Sequence, residues 1–383
     1  EAPHVHVRQV PDAPTSRHKT ATEGRREQDA RTARRHLRDI HAYVQAEARR
    51  QGDRRVLVVA QEHAETALRA FPWRPNVELA HFNSIKGLDR WRDVGAIIVL
   101  GRPQPGPEAV ERTAAAFANA APTSRLTART GRWYDREIAG LRRTDGQSTA
   151  VTVDTHPDAL CEDVRRSICE DELMQAIGRG RGVNRTAADP LDVHVLSDVC
   201  LPITVNDVQT WDTVQPDMRG LQLARGVAVA SASHAAQLYP DVWPSQSAAR
   251  EAARQERRVR NAFGESLKAD LTHLVEGAYQ RDGQGARVVH FEVDAAMIPD
   301  PALVLEDALG TLASCDYDVG RVLTMYEQAR RPAPRSADAT EVPLTSGEPV
   351  SAEPGADVAI ADASEGPADR PLPASAAVAR MPP

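Results

Sequence analysis

Lysine is almost missing from this chain: of 47 basic residues in 383, only Lys19, Lys86 and Lys268 are lysine. A phosphate-cradling P-loop needs Gly-Lys-Ser/Thr, so that an ammonium reaches the terminal phosphates beneath a nest of backbone N–H groups. Lys19 precedes Thr20 but follows His18 with no apolar run before it, Lys86 is followed by Gly87, and Lys268 by Ala269. These residues therefore encode no P-loop. Nor does an apolar run end in Asp-Glu, the pair that would hold magnesium and position water, because Glu170-Asp171-Glu172 falls inside a predicted helix.

Cysteine is scarce as well. Cys161, Cys169, Cys200 and Cys315 lie far apart with no C-x-x-C pair, which argues against a zinc site and against a disulfide framework in so long a chain. Reduced thiols and an intracellular, cytoplasmic location are expected. No apolar stretch approaches the roughly 18 residues of a membrane span, and the opening EAPHVHVRQV lacks the charged-then-apolar order of a signal peptide. The twelve histidines show no His-x-x-x-His pair beside a carboxylate, so no metal is assigned. Aromatic residues make up only 4% of the chain. Trp91, Trp133 and Tyr134 could stack on unpaired bases, but core packing is the simpler use.

Net charge is −7, so no global basic field announces a nucleic-acid binder, and any such surface must be local. The chain starts at Glu1 and its first methionine is Met174, inside a predicted helix, as expected of a piece of something longer. Residues 1–23 mix Pro, Thr, Ser and charge without apolar periodicity and are expected to be a linker. From Gly24 to Gly52, Ala33, Leu37, Ile40 and Val44 recur at helical steps with arginines on the other faces, which predicts an amphipathic helix with solvated arginines. The valine-rich run Val56–Ala60, then Val77–Ala80 and Ala96–Leu100, each read as a short buried strand with helical segments between them. Asp145-Gly146, between two β-like runs, signals a hairpin inserted before a long helix over Pro157–Arg179, and Asp192–Leu196 gives a further strand. The pattern is an α/β domain over 24–202, a parallel sheet with helices on both faces.

Residues 203–330 read as a small α+β accessory region. It holds a helix over Ser245–Phe263, another near Leu267–Tyr279, and a hairpin over Tyr279–Val293 turning at Asp282-Gly283. A winged helix is the alternative arrangement. Residues 331–383 are too poor in large apolar groups to offset the entropy of ordering and are expected to be a disordered tail.

Two segments carry chemistry. The first is Gln175-Ala-Ile-Gly178-Arg179-Gly180-Arg181-Gly182, at the end of the long helix and before a strand. It resembles motif VI of superfamily 2 helicases: Gln, two residues, Gly-Arg, two residues, Arg. Here Gln175, Gly178 and Arg179 match, whereas Gly182 takes the eighth place and the second arginine, Arg181, comes one position early. A flexible basic turn is the plainer alternative, but it would not need an amphipathic helix before it and a strand after it. The second segment, Asn83-Ser84-Ile-Lys86-Gly87-Leu-Asp89 before the strand Ala96–Leu100, is similar to motif V, and Val56–Ala60 takes the place of motif IV. The longer block from His81 to Pro103 also resembles helicases carried beside primase domains in phage and plasmid replication proteins.

The resemblance covers about residues 54–200 and implies the second RecA-like domain of a helicase or translocase. It implies Arg179, Arg181 and Gln175 as catalytic, since a planar, permanently charged arginine fork can bridge phosphoryl oxygens in the transition state. It implies Gly87, Asp89 and Gly178 at the nucleotide cleft, and Asn83, Ser84, Lys86 and Arg102 against nucleic acid, with DNA the expected partner. ATP and Mg2+ would be held mainly by an upstream RecA-like domain, so this chain alone should not hydrolyse ATP. A non-catalytic nucleic-acid-binding scaffold is the alternative, and a structural or protein-interaction piece a third.

Overall fold

The computed structural model describes residues 2–87, 89–126, 134–263 and 273–331. Its first part begins with β1 (Val5–Gln9), a single turn α1 (Arg17–Thr20) and the long α2 (Glu27–Arg50). Then come β2 (Val56–Ala60), α3 (Glu62–Leu68), β3 (Val77–His81), a 3-10 turn over Phe82–Ile85, β4 (Ala96–Leu100) and α4 (Pro107–Ala118). A hairpin of β5 (Asp135–Arg142) and β6 (Ser148–Thr155) precedes α5 (Ala159–Gly178), β7 (Leu191–Leu196), β8 (Asp207–Val208) and α6 (Trp211–Val214).

Six strands form one parallel sheet in the order β3-β2-β4-β7-β1-β8. Strands β2 and β4 are apolar at every position because both faces of the sheet are covered, as expected for parallel strands. Val56, Val58, Ala60, Ala96, Ile98 and Leu100 meet α2 and α3, while Leu57, Val59, Ile97 and Val99 meet Cys169, Leu173 and Ala176 of α5. Each such buried Val, Leu or Ile contributes roughly 1.5–3 kcal/mol relative to leaving it in water. On α2, Ala33, Leu37, Ile40, Val44 and Ala48 make the buried stripe. The N-terminus of α5 is capped by Asp158, whose Oδ1 accepts the Cys161 N–H at 3.1 Å.

Two expected boundaries are corrected. Residues 1–23 are not a linker. Val5–Gln9 pairs with β7 along its whole length and with β8, and α1 follows within the same span. The alternation of Val5, Val7 and Gln9 is too short and too polar to signal a strand by itself. It forms one because β7 offers an open parallel edge. The sheet also does not close at residue 202, since β8 extends it and Trp211 of α6 packs against the α2 face.

The second part holds α7 (Met218–Leu223), β9 (Val227–Val229), α8 (Ala232–Leu238), α9 (Gln246–Phe263), β10 (Leu274–Arg281), β11 (Val288–Asp294), α10 (Pro301–Leu309), β12 (Leu312–Tyr317) and α11 (Val319–Ala329). Its sheet is antiparallel, in the order β12-β10-β11-β9. The hairpin β10–β11 is the inner pair of this sheet, not a free wing. The helix expected near Leu267–Tyr279 is, where described, strand β10. Val275 and Tyr279 alternate into a core shared with Phe291 and Val293, so period-two packing overrides the apparent helical pattern.

The two parts meet through buried charge. Asp294, fully buried, accepts from Arg49 at 3.4 Å and pairs with Arg74. Gln45 of α2 donates to the Ala224 carbonyl at 3.1 Å. Apart from Arg331, the tail expected over 331–383 lies outside the described residues. Among the described residues no helix is long and apolar enough to cross a membrane.

Candidate functional site

The two edges of the parallel sheet differ in kind. In open parallel α/β sheets ligands usually sit beyond the carboxyl ends of the strands. Here that edge is closed by the chain itself, because the segment after β1 laps over the ends of β7 and β4. Gln9 donates to the Ser197 and Val199 carbonyls at 2.9 and 2.7 Å, and Thr15 Oγ1 donates to the Leu196 carbonyl at 2.7 Å. Arg102, just past β4, is held by Asp154 at 2.6 Å and by Asp198. A phosphate approaching Arg102 would have to displace a carboxylate.

At the amino edge, α5 ends in the glycine-arginine segment. A Cβ at Gly180 would stand 2.7 Å from a Leu191 methyl and 2.8 Å from an Ile97 methyl, at the starts of β7 and β4, so a larger residue there would push those core side chains aside. Arg181 then adopts a left-handed backbone with φ 49°, unusual for a residue with a side chain. Its guanidinium donates to Asp89 Oδ1 through Nε at 3.0 Å and Nη2 at 2.8 Å. The connection from β3 to β4 runs across the α5 face and carries Phe82, Ile85, Trp91 and Val94 into the core beside Leu173 and Ala176. That packing delivers Asp89 to the end of α5. Midway, Lys86 pairs with Glu172 at 2.7 Å.

Of the residues singled out by sequence, Gln175, Gly178, Arg179, Arg181, Asp89, Gly87 and Lys86 lie along α5 and its end. Gln175, Gly178 and Arg181 are exposed and Arg179 is half-buried. Gly87 sits in an exposed turn with φ 72°. Asn83 and Ser84 stand apart, at the carboxyl end of β3, where Ser84 Oγ accepts the His81 N–H at 3.1 Å and donates to the His81 carbonyl at 2.8 Å. Arg102 is likewise at the far edge. Trp91 is buried and donates to Glu78 at 2.8 Å, and Tyr134 is buried with its hydroxyl on the Pro105 carbonyl, so neither offers a ring to a base. Trp133 lies outside the described residues.

One residue escaped the sequence reading. Arg185, buried, donates to the Gly180 and Arg92 carbonyls, each at 2.8 Å, and pairs with Asp189 at 3.0 Å. Burial lowers its pKa, with Asp189 opposing. It clamps the turn that presents Arg179 and Arg181. No spacing pattern marks it, because its partners are main-chain carbonyls.

Fold and site define an α/β protein whose parallel sheet is covered on both faces and presents arginines at its amino edge. Comparison with family models, with curated proteins and with solved structures found no match.

Proposed function

We propose that the parallel-sheet part is the second RecA-like domain of a superfamily 2 helicase or translocase acting on DNA. In this role Arg179 and Arg181 face the γ-phosphate of ATP held by a separate P-loop body. The observation that carries the proposal is the Arg181–Asp89 pair, which joins the motif V-like and motif VI-like segments across 92 positions of sequence. A nucleotide on this sheet's own carboxyl edge is a poor fit. That edge is closed, and six residues of β7 at about 3.3 Å each put it roughly 17–20 Å from the arginines. The arginines therefore serve a phosphate brought to the amino edge from outside.

The exposed Arg181 guanidinium, with half-buried Arg179 beside it, suits the charge that develops on a transferring phosphoryl group, and Asp89 orients Arg181 without burying it. The described residues gather no group of three His, Cys, Asp or Glu that could hold a metal. The test is nucleic-acid-stimulated ATP hydrolysis by a polypeptide joining this chain to its P-loop domain. Arg179→Ala and Arg181→Ala should each lower turnover by roughly 10³–10⁵ with the fold intact. Undiminished turnover sinks the proposal. A second reading, a nucleic-acid-binding scaffold without motor activity, draws on the absence of Gly-Lys-Ser/Thr from the chain. A P-loop domain encoded in the same reading frame would exclude it.

A further inference from the structure

We infer that the arginine-rich face formed by α1 and the first half of α2 is a docking surface for the phosphate backbone of nucleic acid. The choice of partner rests on the proposed function, but the surface lies at the other end of the sheet from Arg181 and is tested without nucleotide. Between Ser16 and Asp39 the chain carries eight Lys or Arg against four Asp or Glu, a local +4 in a protein of net −7. Arg31, Arg34, Arg35 and Arg38 follow one another at steps of three, one and three, which places them on one flank of α2.

The side chains of Arg31, Arg34 and Arg35 are 75%, 57% and 70% exposed. Glu27 is shared by Arg31 and Arg34 at 3.1 and 3.3 Å, and Asp39 by Arg35 and Arg38 at 3.7 and 3.3 Å. Four guanidiniums on two carboxylates leave two positive charges over, and the exposed Glu27 pairs are weak enough to yield to a phosphate, whereas Arg38, 18% exposed, stays on buried Asp39. The turn α1 is tied to its neighbours: His36 Nδ1 of α2 bonds the Lys19 carbonyl and Thr20 Oγ1 bonds His63 Nε2 of α3, each at 2.9 Å. These bonds hold exposed Lys19 beside the stripe.

Charge complementarity selects a polyanion, and the packing selects which kind. A helix that lies on a lipid surface must offer its apolar face to the bilayer. The apolar face of α2 is already spent against the sheet, through Leu37, Ile40 and Val44. A nucleic-acid backbone needs only the charged flank.

The experiment is fluorescence anisotropy of a labelled oligothymidine, about 20 nucleotides long, with the full chain across salt from roughly 50 to 200 mM. The wild type should bind with strong salt dependence. The triple variant R31Q/R34Q/R35Q should bind at least about tenfold more weakly and flatten the log–log salt slope by about 2, since each lost phosphate contact on a single strand removes about 0.7. A control that removes two exposed arginines elsewhere, R112Q/R166Q, should stay within about twofold of wild type, and R181A should bind like wild type. Absence of salt-dependent binding by the wild type, an unchanged triple variant, or an equal loss in the control overturns the proposal. So does anionic-vesicle binding that the triple variant abolishes while oligonucleotide binding persists. Failure here with normal R181A-sensitive hydrolysis leaves the motor assignment standing, and the reverse outcome leaves the docking surface standing.

Discussion

The carboxyl and amino edges of the same parallel sheet have been put to opposite uses. At the carboxyl edge three polar side chains are spent within the fold: Gln9 and Thr15 bond strand-end carbonyls, and Arg102 is shared by two aspartates. At the amino edge, buried charges lock the second part of the molecule onto the α2 side. On the α5 side, Arg181 is exposed and held by a single exposed carboxylate, while buried Arg185 ties the turn together through main-chain carbonyls. The carboxyl edge turns Gln9, Thr15 and Arg102 inward onto the chain's own groups, whereas the amino edge leaves Arg181 exposed beside one carboxylate.

Four substitutions or conditions probe that contrast, from the largest expected effect to the smallest. Asp294→Ala removes the carboxylate between two buried guanidiniums, Arg74 being 3% exposed, and should cost about 3–5 kcal/mol by urea denaturation. A loss below about 1 kcal/mol would mean that the amino-edge lock is wrongly placed. Lowering the pH acts on the same side through His41, buried against Phe71 and Trp73 with Nε2 on the Pro72 carbonyl at 2.7 Å. Burial pushes its pKa down to about 4 from the usual 6.5. Above pH 6.5 both folded and unfolded forms are neutral. As the pH falls from 6.5 towards 4 only the unfolded chain takes up the proton, so stability declines by up to about 3 kcal/mol. His41→Gln should flatten that part of the stability–pH curve, and an unaltered curve would count against the buried imidazole.

At the carboxyl edge, Gln9→Ala leaves two strand-end carbonyls without their donor and should cost about 2–3 kcal/mol in thermal or urea unfolding. A neutral result would mean that the edge is open rather than closed. Asp89→Asn breaks only a half-exposed pair, so stability should shift by less than about 1 kcal/mol. Hydrolysis in the joined polypeptide should nonetheless fall, since Arg181 loses its orienting carboxylate. Stability loss without loss of hydrolysis would make the pair structural.

Much of the architecture is legible from periodicity. The continuous apolar runs Val56–Ala60 and Ala96–Leu100 are strands because both faces are buried, and the spacing of Leu37, Ile40 and Val44 is a helix because one face is. Val5–Gln9 and Leu274–Arg281 were not legible as strands. The five-residue alternating run Val5–Gln9 takes its state from β7, far away in sequence, and Leu274–Arg281 takes its state from strands on both sides, β11 and β12. The candidate site divides in the same way. The segments bearing Asp89 and Arg181 stand out by residue type, but their contact does not, and neither does the role of Arg185, whose partners are backbone carbonyls with no side-chain pattern.

The amino-acid sequence alone determined the alternation of strand and helix, the lack of any P-loop lysine and the clustering of arginine in two places. Only the tertiary structure decided that these clusters fall at opposite ends of one sheet, that Gly180 lies against the Leu191 and Ile97 side chains, and that Arg102 is spent on aspartates. The reason is physical: composition and period are local properties of the chain, whereas an edge, a shared carboxylate or a closed cleft exists only between segments that burial of the core brings together.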